Sequence, residues 1–326
     1  MAKIAFLLGL AACLLHLLSR TIALEITDIF NVQPGASDGG CDDRAGVLDQ
    51  WLSEGIESLD VALKAINNYR KDPEVRKSLS TIFGIRNDQS LTEDASVALN
   101  RVKTSDYQGK DILDQNGNPI RIMDIPKYDE RLAGDPDNKP WWSGELTALN
   151  SYYFTEHGGN YCHTDELGLT AKMEPFRAGA NGQAEAVGEI AGVILCPYSF
   201  EGSSKPDSYK EASNRLVVGQ NLADAIPKSA TLLHEAFHAL FGVEFLAGDA
   251  ERYDIAACLS LANSQPGMAQ VNPENYIFFI AHMYHLRGED GNEPWSIPTQ
   301  WDFKIMGRGR NRILGAFRNP IQANVL

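Results

Sequence analysis

Residues 229–241, Ser-Ala-Thr-Leu-Leu-His-Glu-Ala-Phe-His-Ala-Leu-Phe, restrict the fold more than any other stretch. The run is apolar and helix-forming, yet it carries His234, Glu235 and His238. Helical residues i and i+4 share a face, so the two imidazoles can grip one metal ion. Glu235 lies between them in a His-Glu-x-x-His pattern and is placed to act as a general base. The chain must therefore bury one flank of this helix and keep the other accessible to a metal.

Zinc in such a site needs a third protein ligand and an open position. Glu244 stands six residues after His238, where one metallopeptidase class places a third histidine. That class turns the chain with a glycine three residues after its second histidine, and Phe241 is here instead. Asp249 and Glu251, in Ala-Gly-Asp-Ala-Glu-Arg-Tyr at 247–253, remain. Either can return a carboxylate from the start of the next helix.

The N-terminus bears on the compartment. Lys3 precedes an apolar run from Ile4 to Leu18 broken only by His16, and Thr21-Ile22-Ala23 offers small residues for cleavage. A run of about 15 apolar residues is short for a membrane span, so residues 1–23 read as a secretory signal peptide. The expected product is soluble, secreted and extracellular. The formal net charge of −14 becomes −16 when Lys3 and Arg20 leave with the signal. That balance argues against nucleic acid or an anionic membrane as partner. Cys41, Cys162, Cys196 and Cys258 stay in the mature chain. In a secreted protein they read as two disulfides with three possible connectivities. No Cys-x-x-Cys suggests a thiolate metal site, and no Asn-x-Ser/Thr sequon is present.

Along the chain, 24–40 reads as a loose N-terminal segment ending in a Pro-Gly-Ala-Ser-Asp-Gly-Gly run. Leu48, Leu52, Ile56, Leu59, Leu63 and Ile66 recur at helical spacing, Asp72-Pro73 breaks that helix, and further helices are expected over 75–83 and 92–104. Turn signals then punctuate short apolar pieces, with strands expected at 120–123 and 189–196. Ser229 is the expected N-cap of the motif helix and Gly242 its stop. Another helix is expected from near Asp249 to Ala262, and one from Pro273 through His285. The last forty residues hold Trp295, Trp301 and a basic cluster from Lys304 to Arg318.

Several of these residues resemble one family. His234-Glu235-Ala236-Phe237-His238, then Gly248-Asp249, Tyr253, the run 257–262 Ala-Cys-Leu-Ser-Leu-Ala and Asn272-Pro273-Glu274-Asn275-Tyr276 look like the aspzincins, the fungal deuterolysins and peptidyl-Lys metalloendopeptidases. Ile194-Leu195-Cys196-Pro197 is similar to that family's edge strand, and Ile82-Phe83-Gly84 to a step in its helical N-terminal part. The similarity covers most of the mature chain to about residue 285, and the motif block is its specific part. It implies zinc held by His234, His238 and an Asp, with Glu235 as general base and Tyr253 donating to the oxyanion. The family pattern Gly-Thr-x-Asp-x-x-Tyr-Gly has its Asp three residues before the Tyr. Here that position is Ala250, leaving Asp249 as first choice and Glu251 as second. Lysine-selective members line the pocket beyond the cut with two acids; Glu274 and Ile277 stand at the matching positions, so half of that charge is missing. The family layout also suggests Cys162 paired with Cys196, and with it Cys41 with Cys258. His282 and His285, spaced i, i+3, read either as a second metal site or as packed histidines, the latter favoured.

The expectation is an α+β, zincin-like fold: a helical N-terminal part, a small sheet with an edge strand, and an active-site helix. Residues 41–288 would form one metallopeptidase domain, with 289–326 an extension of unassigned role. The implied activity is a secreted, monomeric zinc endopeptidase acting on peptide or protein substrates, with no nucleic acid and no membrane partner. The alternative is a catalytically weak or inactive secreted zinc-binding or host-interaction protein on the same fold.

Overall fold

The computed structural model of the chain describes residues 25–30, 32, 41–85, 140–142, 152–154, 167–173, 176–178, 184–186, 190–196, 198–242, 245–247, 250–288 and 301–318. These residues are mostly helical with small antiparallel ladders, a coarse α+β arrangement. The signal peptide at 1–23, the helix expected at 92–104 and the strand expected at 120–123 lie outside them.

In chain order, α1 (Ile26–Ile29), α2 (Ala45–Asn67) and α3 (Pro73–Ile82) come first. The repeat read from Leu48 to Ile66 forms the buried face of α2. Helix α2 ends at Asn67, ahead of the break expected at Asp72-Pro73, and Pro73 opens α3, because Asp72 accepts from the Glu74 and Val75 amides and Pro needs no N–H at the first helical position. Strands β1 (Pro140–Trp142) and β2 (Tyr152–Phe154) pair, with Trp141 opposite Tyr153. Then come β3 (Gly168–Met173), β4 (Phe176–Ala178), β5 (Ala184–Ala186) and β6 (Ile190–Leu195). Pairing is nested: β4 pairs with β5, and β3 with β6 in a register that sets Gly168 opposite Leu195.

The helices that follow are α4 (Tyr209–Arg215), the motif helix α5 (Ala230–Phe241), α6 (Ile255–Ser264), α7 (Pro266–Ala269) and α8 (Pro273–Arg287). A hairpin of β7 (Trp301–Met306) and β8 (Ile313–Arg318) closes the described chain. The main core gathers α2, α3, α5, α6 and α8 around Leu59, Leu79, Phe83, Phe237, Ile277 and Phe279. A smaller cluster joins Ile26, Leu48, Trp51 and Leu52 to Leu232 of α5. The motif helix thus has apolar partners on two sides. Aromatic rings lock its C-terminal end, with Phe241 and Phe245 centroids 4.3 Å apart and Phe237 4.9 Å from Tyr276.

Several expectations are corrected. The 24–40 segment is not uniformly loose: Ile26 is 2% exposed and its amide donates to Asp49 of α2 at 2.7 Å. Ser229 does not cap α5 with its side chain. Its hydroxyl donates to Glu54 instead, tying the helix start to α2. Gly242 does end the helix, at φ +50°, a conformation that favours glycine. The helix expected from Asp249 begins only at Ile255, because Asp254 is its N-cap and accepts from the Ala257 amide at 2.9 Å. The expected pairing of Cys41 with Cys258 is not formed, and both are thiols. Cys258 is buried in α6 and donates to the Arg252 carbonyl, while Cys41 packs in the smaller cluster. Cys196 is disulfide-bonded; Cys162, its expected partner, lies outside the described residues.

The C-terminal extension acquires a role. Trp301, Phe303, Leu314 and Ala316 belong to the main core, so the domain runs past residue 288. His282 and His285 are packed histidines that receive this hairpin. His282 bridges the Ser78 hydroxyl (2.9 Å) and the Asp302 carboxylate (3.0 Å), and Lys77 pairs with Asp302 from α3. Burial alone would raise the Asp302 carboxyl, but His282 and Lys77 hold it down at about 2. His285 lies between the Ser213 hydroxyl and the Ala225 carbonyl.

Candidate metal centre

Helix α5 presents His234 and His238 one turn apart, with ring centroids 5.1 Å apart. The chain segment approaching α6 brings Glu251 over both. Glu251 Oε1 lies 3.2 Å from His234 Nε2, and Oε2 lies 3.2 Å from His238 Nε2. One donor atom from each of the three residues falls within 4.8 Å of the others. These residues could hold a metal ion.

The geometry fits a cation better than a set of hydrogen bonds. Glu251 Oε1 is buried and has no hydrogen-bond partner, although His234 Nε2 is close. The two atoms are near each other without pointing at each other, as donors aimed at a common third point would be. Metal–ligand bonds of ~2.0–2.1 Å in a tetrahedron place ligand atoms about 3.3 Å apart, which matches both 3.2 Å edges. The charge balance agrees, because Glu235, Glu251 and Glu274 surround two imidazoles, and a buried cluster of that sign is stabilised by a cation. The same surplus of negative charge acts on the His234 imidazole. Burial disfavours the imidazolium, but Glu251 and Glu274 raise its pKa to about 10. Burial likewise raises Glu251, yet the two histidines bring it down to about 2.

Residues around the ligands fix their orientation. His234 Nδ1 lies 3.0 Å from Glu274 Oε2. With Nε2 turned to the metal position, Nδ1 is the donor, the carboxylate–imidazole arrangement that sets tautomer and ring direction. Glu274, expected in a substrate pocket, is therefore engaged behind a ligand. Ile277, its expected companion, is 1% exposed in the main core and lines no accessible surface.

The segment carrying Glu251 is held by Asn272, which is fully buried. Its Oδ1 accepts from the Arg252 amide and its Nδ2 donates to the Arg252 carbonyl, both at 2.9 Å. Arg252 is thereby clamped, and its neighbours Glu251 and Tyr253 are set. The Tyr253 hydroxyl donates to Glu251 Oε2 at 2.7 Å. Its ring is 57% exposed and stacks 5.9 Å from His234. Burial and the Glu251 carboxylate both push the phenol above its ordinary value, so it stays a donor.

Glu235, 4% exposed, faces β3. The Thr170 hydroxyl lies 2.7 Å from Glu235 Oε2 and 3.1 Å from its backbone carbonyl. A Cβ at Gly168 would stand 2.9 Å from Glu235 Oε1, so the bare backbone there lets the strand close over the carboxylate. Burial raises the Glu235 carboxyl, partly offset by His234 and Thr170. The strand touching Glu235 is β3, the ladder partner of the Ile190–Leu195 strand read from the sequence.

A scan of protein-family models finds no match to this chain, and no curated protein or solved structure matches it either. The assignment therefore rests on the residues themselves. The structure brings His234, His238, Glu251, Tyr253, Glu235 and Glu274 together. Asp249 lies outside the described residues, and Glu251 is the carboxylate of the group that could hold a metal ion. Sequence reasoning missed Thr170 and the clamp made by Asn272. No spacing marks Thr170, because its strand lies in a stretch dominated by turn signals. Asn272 before Pro273 reads as an ordinary helix start, and only the fold returns its amide to Arg252.

Proposed function

We propose that this chain is a zinc-dependent endopeptidase with a zincin-like fold, in which His234, His238 and Glu251 hold the metal. The observation that carries it is the pair of 3.2 Å imidazole–carboxylate edges beside a separate carboxylate, Glu235, on the same helix. Two imidazoles and one carboxylate also suit iron(II). An additional acid next to the first ligand is what a hydrolase needs and an oxygen-activating iron site does not.

When bound, zinc supplies Lewis acidity that polarises a peptide carbonyl and acidifies a water. The residues do the rest. Glu235 takes a proton from the attacking water and passes it to the leaving amine, with the Thr170 hydroxyl holding one carboxylate oxygen. Tyr253, exposed and beside His234, swings its hydroxyl from Glu251 to the oxygen that gains charge. Strands β3 and β6 pair only with each other among the described residues, so each keeps an edge on which an extended peptide can add. Secretion, expected from residues 1–23, fits this activity.

Glu235→Gln tests the reading. The variant is expected to retain stoichiometric zinc and lose casein cleavage by three or more orders of magnitude, on the order of a general-base deletion. Cleavage at the wild-type rate would exclude the mechanism. Bound zinc without turnover in the wild type would favour the non-catalytic alternative.

A further inference from the structure

The chain is acidic overall, but its charge is segregated. Between Trp301 and Arg318 it carries Lys304, Arg308, Arg310, Arg312 and Arg318 against one acid, Asp302. Asp302 is 3% exposed and committed to His282 and Lys77. The outer surface of the hairpin is therefore cationic. Lys304 lies over the Phe317 ring at 3.7 Å and Arg318 over Trp301 at 5.5 Å. Arg308, Arg310 and Arg312 make no ion pair with a described residue.

The same place gathers apolar surface. Strand β7 buries its first three residues and exposes Lys304, Ile305 and Met306. Seven large hydrophobic side chains are exposed among the described residues, and four of them are Val217, Val218, Ile305 and Met306. Met306 and the two valines form one region, and Ile305 stands on the other side of the same strand end. The Gly219 amide donates to the Ala316 carbonyl (2.7 Å) and the Ala316 amide to Gln220 (2.8 Å), so 217–221 runs along β8. Met306 Sδ covers Gly315, whose side-chain position is also 3.6 Å from the Gly219 carbonyl. That brings the Val217-Val218 turn beside Met306.

Exposed hydrocarbon rimmed by guanidiniums that pair with no described acid suits a surface with phosphate outside and hydrocarbon beneath. Strand alternation sends Ile305 and Met306 to opposite sides of β7. A fluid layer can receive both, whereas one rigid protein face meets only one of them. Single-stranded nucleic acid would call for exposed aromatic rings, but Trp301 is buried and Phe317 lies beneath Lys304.

We propose that the end of the β7–β8 hairpin, with the Val217-Val218 turn, docks on an anionic phospholipid bilayer. Ile305, Met306, Val217 and Val218 enter the acyl boundary, and Arg308, Arg310 and Arg312 engage headgroup phosphates. None of these residues belongs to the metal centre, so docking survives the loss of catalysis. The proposal departs from the expectation, drawn from net charge, of no membrane partner: screening confines the interaction to groups within about 8–10 Å of the surface, where the local charge is positive.

Vesicle flotation of the whole protein tests this, using phosphatidylcholine alone or mixed with phosphatidylserine. The protein is expected to float with the mixed vesicles only, and less as salt rises. Arg308→Glu/Arg310→Glu/Arg312→Glu should weaken binding at least about a hundredfold, given roughly one order of magnitude or slightly less per basic residue. Ile305→Ser/Met306→Ser should weaken it about tenfold or more. The variants change exposed side chains, apart from the half-buried Arg312, and unchanged melting and metal content verify folding. Failure of the wild type to float overturns the proposal, as does wild-type binding by the Ile305/Met306 variant. Tighter binding to a single-stranded oligonucleotide than to vesicles, lost only in the arginine variant, overturns it in favour of nucleic acid.

Discussion

Replacing Asn272 with alanine should loosen the metal centre without touching a ligand. The side chain makes three hydrogen bonds with oxygen or nitrogen partners that alanine cannot, two to the backbone of Arg252 and one to Asn275 Oδ1 at 2.7 Å, beside a weaker one to the Cys258 sulfur at 3.6 Å. At a net ~1 kcal/mol each, the loss is about 3 kcal/mol, and it leaves the Arg252 amide without its partner in a buried setting. Glu251 is the residue before that amide. Removing a group that orients a ligand typically lowers metal affinity 10- to 100-fold, or about 1.4–2.7 kcal/mol. The two ranges are compatible, so most of the destabilisation should appear as weakened metal binding.

A competition titration against a chromophoric chelator measures this directly, with thermal melts of the metal-free protein alongside. Asn275→Ala is the control. Asn275 bonds Asn272 and the Ile82 carbonyl but does not touch Arg252. It should destabilise the fold comparably while changing metal affinity by less than about threefold. If Asn272→Ala binds zinc within about twofold of wild type, or if Asn275→Ala loses as much affinity, the clamp does not position Glu251.

Two further outcomes follow from the same packing. Glu274→Ala should lower metal affinity 10- to 100-fold by releasing His234 Nδ1, whereas Glu274→Gln keeps an acceptor and should lose less; equal losses in the same titration would contradict an orienting role. His285 is pushed down to about 4 by burial, against 6.5 for the free imidazole, although the Ala225 carbonyl favours its charged form. The unfolded chain therefore binds the proton first as pH falls, so stability is lost between pH 6.5 and 4 and is complete above that window. The contribution approaches about 3 kcal/mol, and urea melts should show a shallower pH dependence for His285→Gln. Identical slopes would refute it.

How legible the site was from sequence depended on whether the information is local. Helical periodicity is local, so α2, α5 and α8 were readable from Leu48, His234 and Pro273 onward. The i, i+4 spacing of His234 and His238 carries the metal hypothesis by itself. Asp249 was ranked ahead of Glu251 on the resemblance alone, whereas the approach of either carboxylate depends on where α6 begins, and Asp254 rather than Asp249 caps it. Glu274 was read as lining a pocket because it stands where the resemblance places an acid, and a carboxylate there fits either task. Only its 3.0 Å approach to His234 Nδ1 decides between them. The nested β3–β6 ladder was half visible: Ile190–Leu195 is a continuous apolar run, whereas Gly168–Met173 mixes polar and apolar residues among turn signals.

The C-terminal hairpin shows why the candidate site needs more chain than its motif suggests. Helix α8 carries Glu274 at its start and His282 and His285 near its end. The front of the helix orients a metal ligand, and the back is held by Asp302 of β7 and by Ser78 of α3. Asn272, immediately before the helix, clamps the segment that bears Glu251. Displacing α8 would therefore disturb two ligands at once, His234 through Glu274 and Glu251 through Asn272. The buried Asp302–His282 contact is costly to desolvate and is strongly destabilising when only one partner is removed. Its effect should reach the metal through α8, although both residues lie at the opposite end of that helix from Glu274.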